Sequence, residues 1–146
     1  MEICSIGSSG NTAERFFGVL KEHKVTSIID TRLHASSQLA GFTRKDSLAY
    51  FAQTILGIPY FHETLLAPED KDLKAYRNKE ISWLEYENRY LSLISKREVI
   101  KLIDFKAWGE KPVLLCSENT AENCHRRLAA EYLSQELVSV SNITHL

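Results

Sequence analysis

Apolar residues fall into two alternating spacings along the chain. Short β-type runs occupy Glu2-Ile3-Cys4-Ser5-Ile6, Thr26-Ser27-Ile28-Ile29-Asp30, Ile58-Pro59-Tyr60-Phe61 and Val113-Leu114-Leu115, with Val138-Ser139-Val140 as a candidate last strand. Helical spacing lies between them. Ala13, Phe16, Phe17 and Leu20 share one face up to about His23, and Leu48, Phe51, Ala52 and Ile55 share another that stops at Gly57. Trp83, Tyr86, Tyr90, Leu93 and Ile94 form a third stripe, its aromatics read as core or a packing face, with stacking on a base as the lesser alternative. Apolar content resumes at Val99 after a break near Ser95-Lys96 and ends at Trp108-Gly109. Leu128, Ala129, Tyr132 and Leu133 place a last helix over about 123–137. Asn11 with Glu14, and Thr43 with Asp46, have the spacing of helix N-terminal capping pairs. Residues 33–42 read as loop, and the charged stretch 66–79, with Pro68, as an insertion holding at most short helix. This alternation predicts an α/β fold: one three-layer domain over 1–146, its short, mainly parallel sheet flanked by helices.

Composition narrows the setting. With 146 residues, 44% hydrophobic and 25% charged, the chain has the makings of one globular core. A net charge of -1 supplies no global basic field, so charge does not indicate nucleic-acid binding, although a local patch stays open. No apolar run approaches the ~20 residues of a membrane helix, and Met1-Glu2-Ile3 opens no signal-like segment. The expectation is a cytoplasmic protein without a membrane partner. Cys4, Cys116 and Cys124 are too few and too odd in number for a disulfide framework, so reduced thiols are expected.

The chemistry concentrates at strand ends. Three strands finish in polar clusters: Gly7-Ser8-Ser9, Asp30-Thr31-Arg32 and Cys116-Ser117-Glu118. Parallel strands bring all three to one sheet edge, where ligands of open α/β sheets bind. His62, after Phe61, joins them if its strand runs the same way. The run from Cys116 to Arg126 then adds Cys124, His125 and Arg126 at the start of a helix, a natural anion site.

Taken in order, these pieces resemble the DUF488 family, a domain of unknown function. The family pattern of a Gly-His-Ser strand end, Asp-Val-Arg, Gly-Ile-x-Tyr-x-His, Leu-Leu-Cys-x-Glu and Cys-His-Arg is matched by Ile6-Gly7-Ser8-Ser9, Asp30-Thr31-Arg32, Gly57-Ile58-Pro59-Tyr60-Phe61-His62, Leu114-Leu115-Cys116-Ser117-Glu118 and Cys124-His125-Arg126. Ser8 stands where the family often has His. The resemblance implies a Rossmann-like α/β domain and supplies no reaction.

Several chemistries are tested by spacing. A phosphate-cradling cysteine loop needs Arg six residues after the nucleophile; that position is Glu122 after Cys116 and Ala130 after Cys124, which excludes it. Cys124, at a helix N-terminus beside His125 and Arg126, is the better nucleophile candidate; the alternative is a packed thiol. Zinc is disfavoured because seven residues separate the cysteines, and adjacent helical Cys124 and His125 point about 100° apart. No metal site is therefore expected, and the residues name no cofactor. Arg32 and Arg126 are candidate anion grips, with Ser8 and His62 nearby; Asp30 and Glu118 are candidates to orient a hydroxyl, and Glu118 or His125 to move protons. His34 is a weaker candidate. The competing reading pairs Arg32 and Arg126 internally with Asp30 and Glu118. The leading expectation is an enzyme acting on a phosphate-bearing or nucleotide-like ligand, with Arg126→Ala losing binding and keeping the fold. A non-catalytic nucleotide or nucleic-acid sensor and a ligand-free structural protein remain open.

Overall fold

The computed structural model describes residues 1–36 and 38–146, with backbone alone for 38–40; Ser37, within the stretch read as loop, lies outside the described residues. The strands are β1 (Glu2–Gly7), β2 (Ser27–Asp30), β3 (Tyr60–His62), β4 (Pro112–Cys116) and β5 (Asn142–His145). The α-helices are α1 (Ala13–Glu22), α2 (Lys45–Phe51), α3 (Asp70–Arg77), α4 (Trp83–Lys96), α5 (Val99–Leu102) and α6 (His125–Glu136), with α2 running on into a π-helical turn at Ala52–Leu56. The strands form one sheet in the order β3-β2-β4-β1-β5, and every pairing is parallel.

Strand periodicity of two sends neighbouring side chains to opposite faces. Ile3, Ile29 and Leu114 pack with Tyr90 and Ile94 of α4 and Leu128, Ala129 and Leu133 of α6. Cys4, Ile28, Val113 and Leu115 pack on the other face with Phe16, Phe17 and Leu20 of α1 and Leu48 of α2. These two cores make the expected three layers. Each buried Ile, Leu or Val contributes about 1.5–3 kcal/mol. With the strands parallel, the ends of β1, β2, β3 and β4 meet at one edge, and β4 delivers Cys116 near its middle, between β2 and β1.

Several local expectations shift. The α1 cap is Thr12, whose hydroxyl accepts from the Arg15 amide at 3.1 Å; Asn11 instead donates to the Gly7 carbonyl at 2.7 Å. Thr43 does not cap α2. Arg44 precedes that helix without a side-chain cap, and Thr43 instead accepts from Arg32. The stretch 66–79 contains two turns of genuine helix, α3, carrying Asp70 and Asp72 in its first turn and Lys74 and Arg77 in its last. The last strand is β5, not Val138-Ser139-Val140. Its backbone pairs with β1, from Glu2 opposite Asn142 to Ser5 opposite His145. The break after α4 falls at Arg97, where expected, and Arg97 turns back to donate to the Leu65 and Ala67 carbonyls at 2.9 and 2.6 Å.

The cysteines depart from expectation. Cys116 and Cys124 are joined through their sulfurs, leaving Cys4 as the free, buried thiol. The end of β4 and the start of α6 converge on one place, which brings residues eight apart in sequence into contact.

Candidate functional site

A cleft of about 310 Å³ opens beyond the ends of β2 and β4. Arg32 and His34 border it after β2, Cys116 and Glu118 after β4, and Cys124 and His125 at the head of α6. Its opposite wall comes from α3 and α4 through Tyr76, Arg77, Trp83 and Tyr86. Among the described residues no helix is long and apolar enough to cross a membrane.

Glycine decides how the strand ends meet. A Cβ on Gly7 would lie 1.7 Å from the Glu118 carbonyl oxygen, so only glycine lets β1 pass the turn after β4. The Ser8 and Ser9 amides then donate to the carbonyls of Cys116 and Ser117 at 2.9 and 3.1 Å. Ser8 thus braces the loop from behind and does not border the cleft.

Arg32 and Arg126 are both buried, and their hydrogen bonds run inward. Arg32 forks onto Asp30, with Nε at 2.8 Å and Nη2 at 2.6 Å from its two carboxylate oxygens, and donates to the Thr43 carbonyl at 2.5 Å. Burial opposes the guanidinium charge, but the bonds to Asp30 outweigh it and raise the pKa of Arg32. Tyr60 donates to the same Asp30 carboxylate at 2.5 Å. Asp30, fully buried, supports Arg32 from below and is not a wall of the cleft. Among the described residues, Arg126 pairs with no carboxylate. Its donors reach the Glu118 carbonyl at 2.6 Å, Cys116 Sγ at 3.2 Å, Ser5 Oγ at 3.3 Å and the Asn119 carbonyl at 3.4 Å. Burial lowers its pKa to about 10. The internal network expected as the competing reading therefore exists for Arg32 and Asp30. For Arg126 it is built on backbone, while the Glu118 carboxylate lies 4.0 Å from Arg77.

His125 sits beneath the cleft in a defined tautomer. Its Nε2 lies 2.9 Å from the Thr31 carbonyl, which can only accept, so Nε2 carries the proton. The Thr31 hydroxyl donates to the Leu115 carbonyl at 2.9 Å and is free to accept from the same Nε2 at 3.0 Å. Burial lowers the pKa of His125 to about 4, so the ring is neutral at pH 7 with a bare Nδ1. The ligand atoms of Cys116, Cys124 and His125 all lie within 4.8 Å of one another. That corrects the divergence expected of adjacent helical residues: Cys124 precedes α6 in extended conformation, φ -137° and ψ 138°, so helical geometry does not apply to it. Cys116 Sγ also accepts from the Glu118 amide at 3.4 Å.

β3 is parallel to β2, which does bring His62 to the same edge, but its Nε2 donates to the Arg32 carbonyl at 2.8 Å and the ring stays outside the cleft. His34 is at the rim, exposed, 3.4 Å from Asp70. The cleft thus gathers Arg32, Cys116, Glu118, Cys124 and His125, and leaves Ser8, Asp30, His62 and Arg126 behind or beside it. Two members of the aromatic wall, Trp83 and Tyr86, belong to the stripe expected to pack as core; Tyr76, from α3, joins them. Trp83 and Tyr86 stack with centroids 5.4 Å apart, and Tyr76 closes the trio at 5.4 and 5.1 Å. Tyr86 and Tyr90 are equally buried, but Tyr86 borders the cleft, whereas Tyr90 packs in the core with Ile94, its hydroxyl bonded to the Leu66 carbonyl at 2.7 Å. The available signal was the abrupt change from the charged segment 66–79 to Trp83.

The sequence model of the family described as domain of unknown function DUF488 matches residues 12–133. No curated protein and no solved structure matches the chain.

Proposed function

Because this chain belongs to the DUF488 family, a domain of unknown function, its chemistry has to come from its own cleft, and we propose that the cleft is the active site of a small enzyme taking a phosphate-bearing, nucleotide-like ligand. The observation that carries this reading is the meeting of two walls. Tyr76, Trp83 and Tyr86 face the cleft on one side, and Cys116, Cys124 and His125 on the other. Flat aromatic faces accept any base by stacking. A reactive-group cluster opposite them lies where the rest of the ligand would extend. The volume, about 310 Å³, is at the small end of ligand pockets and suits a mononucleotide better than a dinucleotide.

The anion falls to a different arginine from the two singled out in the sequence. Arg77 borders the cleft half-exposed and holds only a loose 4.0 Å contact with Glu118. Exchanging that contact for a phosphate costs little, because exposed pairs are worth about 0–1 kcal/mol. Glu118, released, is then positioned to accept a proton from a bound hydroxyl or water.

Isothermal titration with a panel of nucleoside mono- and diphosphates tests this. A member of the panel is expected to bind, and Trp83→Ala to weaken it roughly 5- to 150-fold, the equivalent of ~1–3 kcal/mol of stacking. Arg77→Gln should weaken the nucleotide and leave the corresponding nucleoside unaffected. Failure of the whole panel at millimolar concentration, or wild-type affinity in Trp83→Ala, overturns the proposal. Binding without turnover identifies a sensor instead of an enzyme.

A further inference from the structure

We propose that, in the reduced protein, Cys116 Sγ, Cys124 Sγ and His125 Nδ1 form a three-ligand site for a zinc-class divalent metal, with its fourth position open to the cleft. The inference does not depend on the nucleotide reading.

Four independent observations point this way. The ligand atoms already lie within 4.8 Å of one another. Two thiolates and an imidazole are the borderline-soft donor set that zinc prefers, at about 2.3 Å from sulfur and 2.0–2.1 Å from nitrogen. His125 is locked in the ligating tautomer: its Nε2–H is held by the Thr31 carbonyl at 2.9 Å, so Nδ1 is the nitrogen presented. Such an outer hydrogen bond is the usual companion of a metal-bound histidine. Finally, Cys116 Sγ receives two N–H donors, Arg126 Nη1 at 3.2 Å and the Glu118 amide at 3.4 Å. Donors aimed at sulfur favour thiolate, the form that binds metal.

Backbone spacing separates this site from a purpose-built disulfide. The Cα atoms of Cys116 and Cys124 are 7.6 Å apart, beyond the ~4.4–6.8 Å that bridged pairs usually span. Two sulfurs on one tetrahedral zinc sit about 3.8 Å apart, a separation the wider backbone reaches by small side-chain rotations. All three ligands border the cleft, so the remaining coordination position faces it. Three protein ligands with an open fourth are the arrangement of catalytic zinc, where a bound water or a ligand oxygen takes the last place. The stoichiometry is simple. A thiol or phosphine reductant delivers two electrons, two protons are taken up, and the disulfide becomes two thiols. Binding of the metal then releases both thiol protons, while His125 keeps its proton on Nε2.

The test uses the full chain, reduced with a phosphine and freed of metal, titrated with Co²⁺ and then with Zn²⁺. One cobalt per chain is expected, with thiolate-to-cobalt charge-transfer absorption and tetrahedral d–d bands that zinc abolishes. Cys116→Ser, Cys124→Ser and His125→Ala should each weaken zinc by more than the roughly 10–100-fold that loss of an outer-shell partner costs. Cys4→Ala, which removes the thiol buried in the sheet, should leave the cobalt spectrum unchanged. If a ligand variant does not fold, X-ray absorption on the zinc-loaded wild type decides, with two sulfurs and one nitrogen expected in the first shell. Absence of the charge-transfer band, a shell of oxygen and nitrogen alone, or an unaltered spectrum in folded His125→Ala overturns the site. Nucleotide titration of the same metal-free and zinc-loaded samples reports on the cleft separately.

Discussion

Replacing Arg126 by Met tests whether this arginine holds the fold or serves the ligand. Methionine keeps most of the length and removes every donor. Two of the four hydrogen bonds are well made, those to the Glu118 carbonyl at 2.6 Å and to Cys116 Sγ at 3.2 Å. Bonds from a charged donor are worth about 1.5–3 kcal/mol each, and the losses are compounded when an acceptor stays buried and unpaired. The bonds at 3.3 and 3.4 Å add little. An opposing effect comes from the buried charge, which faces carbonyls and no carboxylate; burial already lowers its pKa to about 10, and Met relieves that cost. The balance is a destabilisation of about 2–3 kcal/mol. Urea unfolding followed by circular dichroism reads it directly. With a slope near 2 kcal/mol/M, the midpoint should fall by about 1–1.5 M with an unchanged slope. Arg126→Lys should fall between the two, keeping the charge and losing the fork. A midpoint shift below about 0.3 M would refute the reasoning, because the carbonyls of Glu118 and Asn119 would then be satisfied without Arg126.

Gly7→Ala forces a Cβ to 1.7 Å from the Glu118 carbonyl, so the ends of β1 and β4 must separate; a cost of about 3 kcal/mol should lower Tm by about 10 °C, and a Tm within about 2 °C of wild type contradicts the close approach. Tyr60→Phe removes the 2.5 Å bond to Asp30 and should cost about 1.5–3 kcal/mol in urea unfolding, with no effect predicted if that hydroxyl is held by water instead. Cys4 should be inert in the native protein, because burial raises its thiol pKa from 9.0 to about 11. Its protonated form is favoured by folding, so its contribution is complete below pH 9 and is lost as the pH rises toward 11. Iodoacetamide at pH 8 should label Cys4 only after unfolding, and labelling of the native chain at the rate of a free thiol would show that it is accessible.

The layers and the parallel sheet were legible because apolar residues at Ile3, Ile28, Ile29, Val113, Leu114 and Leu115 supply both faces of central strands, and that pattern allows few alternatives. The edge carrying the cleft followed from parallel strands alone. Smaller features depended on geometry one residue wide. Thr12 and Asn11 are both good caps, and the choice between them turned on Asn11 reaching the Gly7 carbonyl. Thr43 was hidden in its role because its partner, Arg32, lies eleven residues back. The meeting of Cys116, Cys124 and His125 was missed for a similar reason. A helix beginning at 123 would splay Cys124 from His125, whereas a helix beginning at His125 leaves Cys124 extended and able to turn toward Cys116. The aromatic wall was illegible because periodicity gives the apolar face of α4 without saying what lies against it. At Tyr90 that is core, and at Trp83 and Tyr86 it is a cleft.

The same geometry divides the charged residues by what it would cost to move them. Arg126 would have to leave carbonyls that are buried behind the loop to reach an anion, giving up about 2–3 kcal/mol before any gain. Arg32 already spends Nε and Nη2 on Asp30; swinging them away would leave a fully buried carboxylate held by Tyr60 and the Arg32 amide alone, and breaking such a pair costs about 3–5 kcal/mol. A phosphate held by two charge-assisted bonds returns about as much as either loss, so neither arginine gains by moving. Arg77 has no such tie: its contact with Glu118 is long and solvated, and it already borders the cleft. The two arginines that stand out in the sequence are therefore the ones that set the positions of Cys116 and the cleft floor, and the arginine within the charged segment 66–79 is the one with freedom to bind.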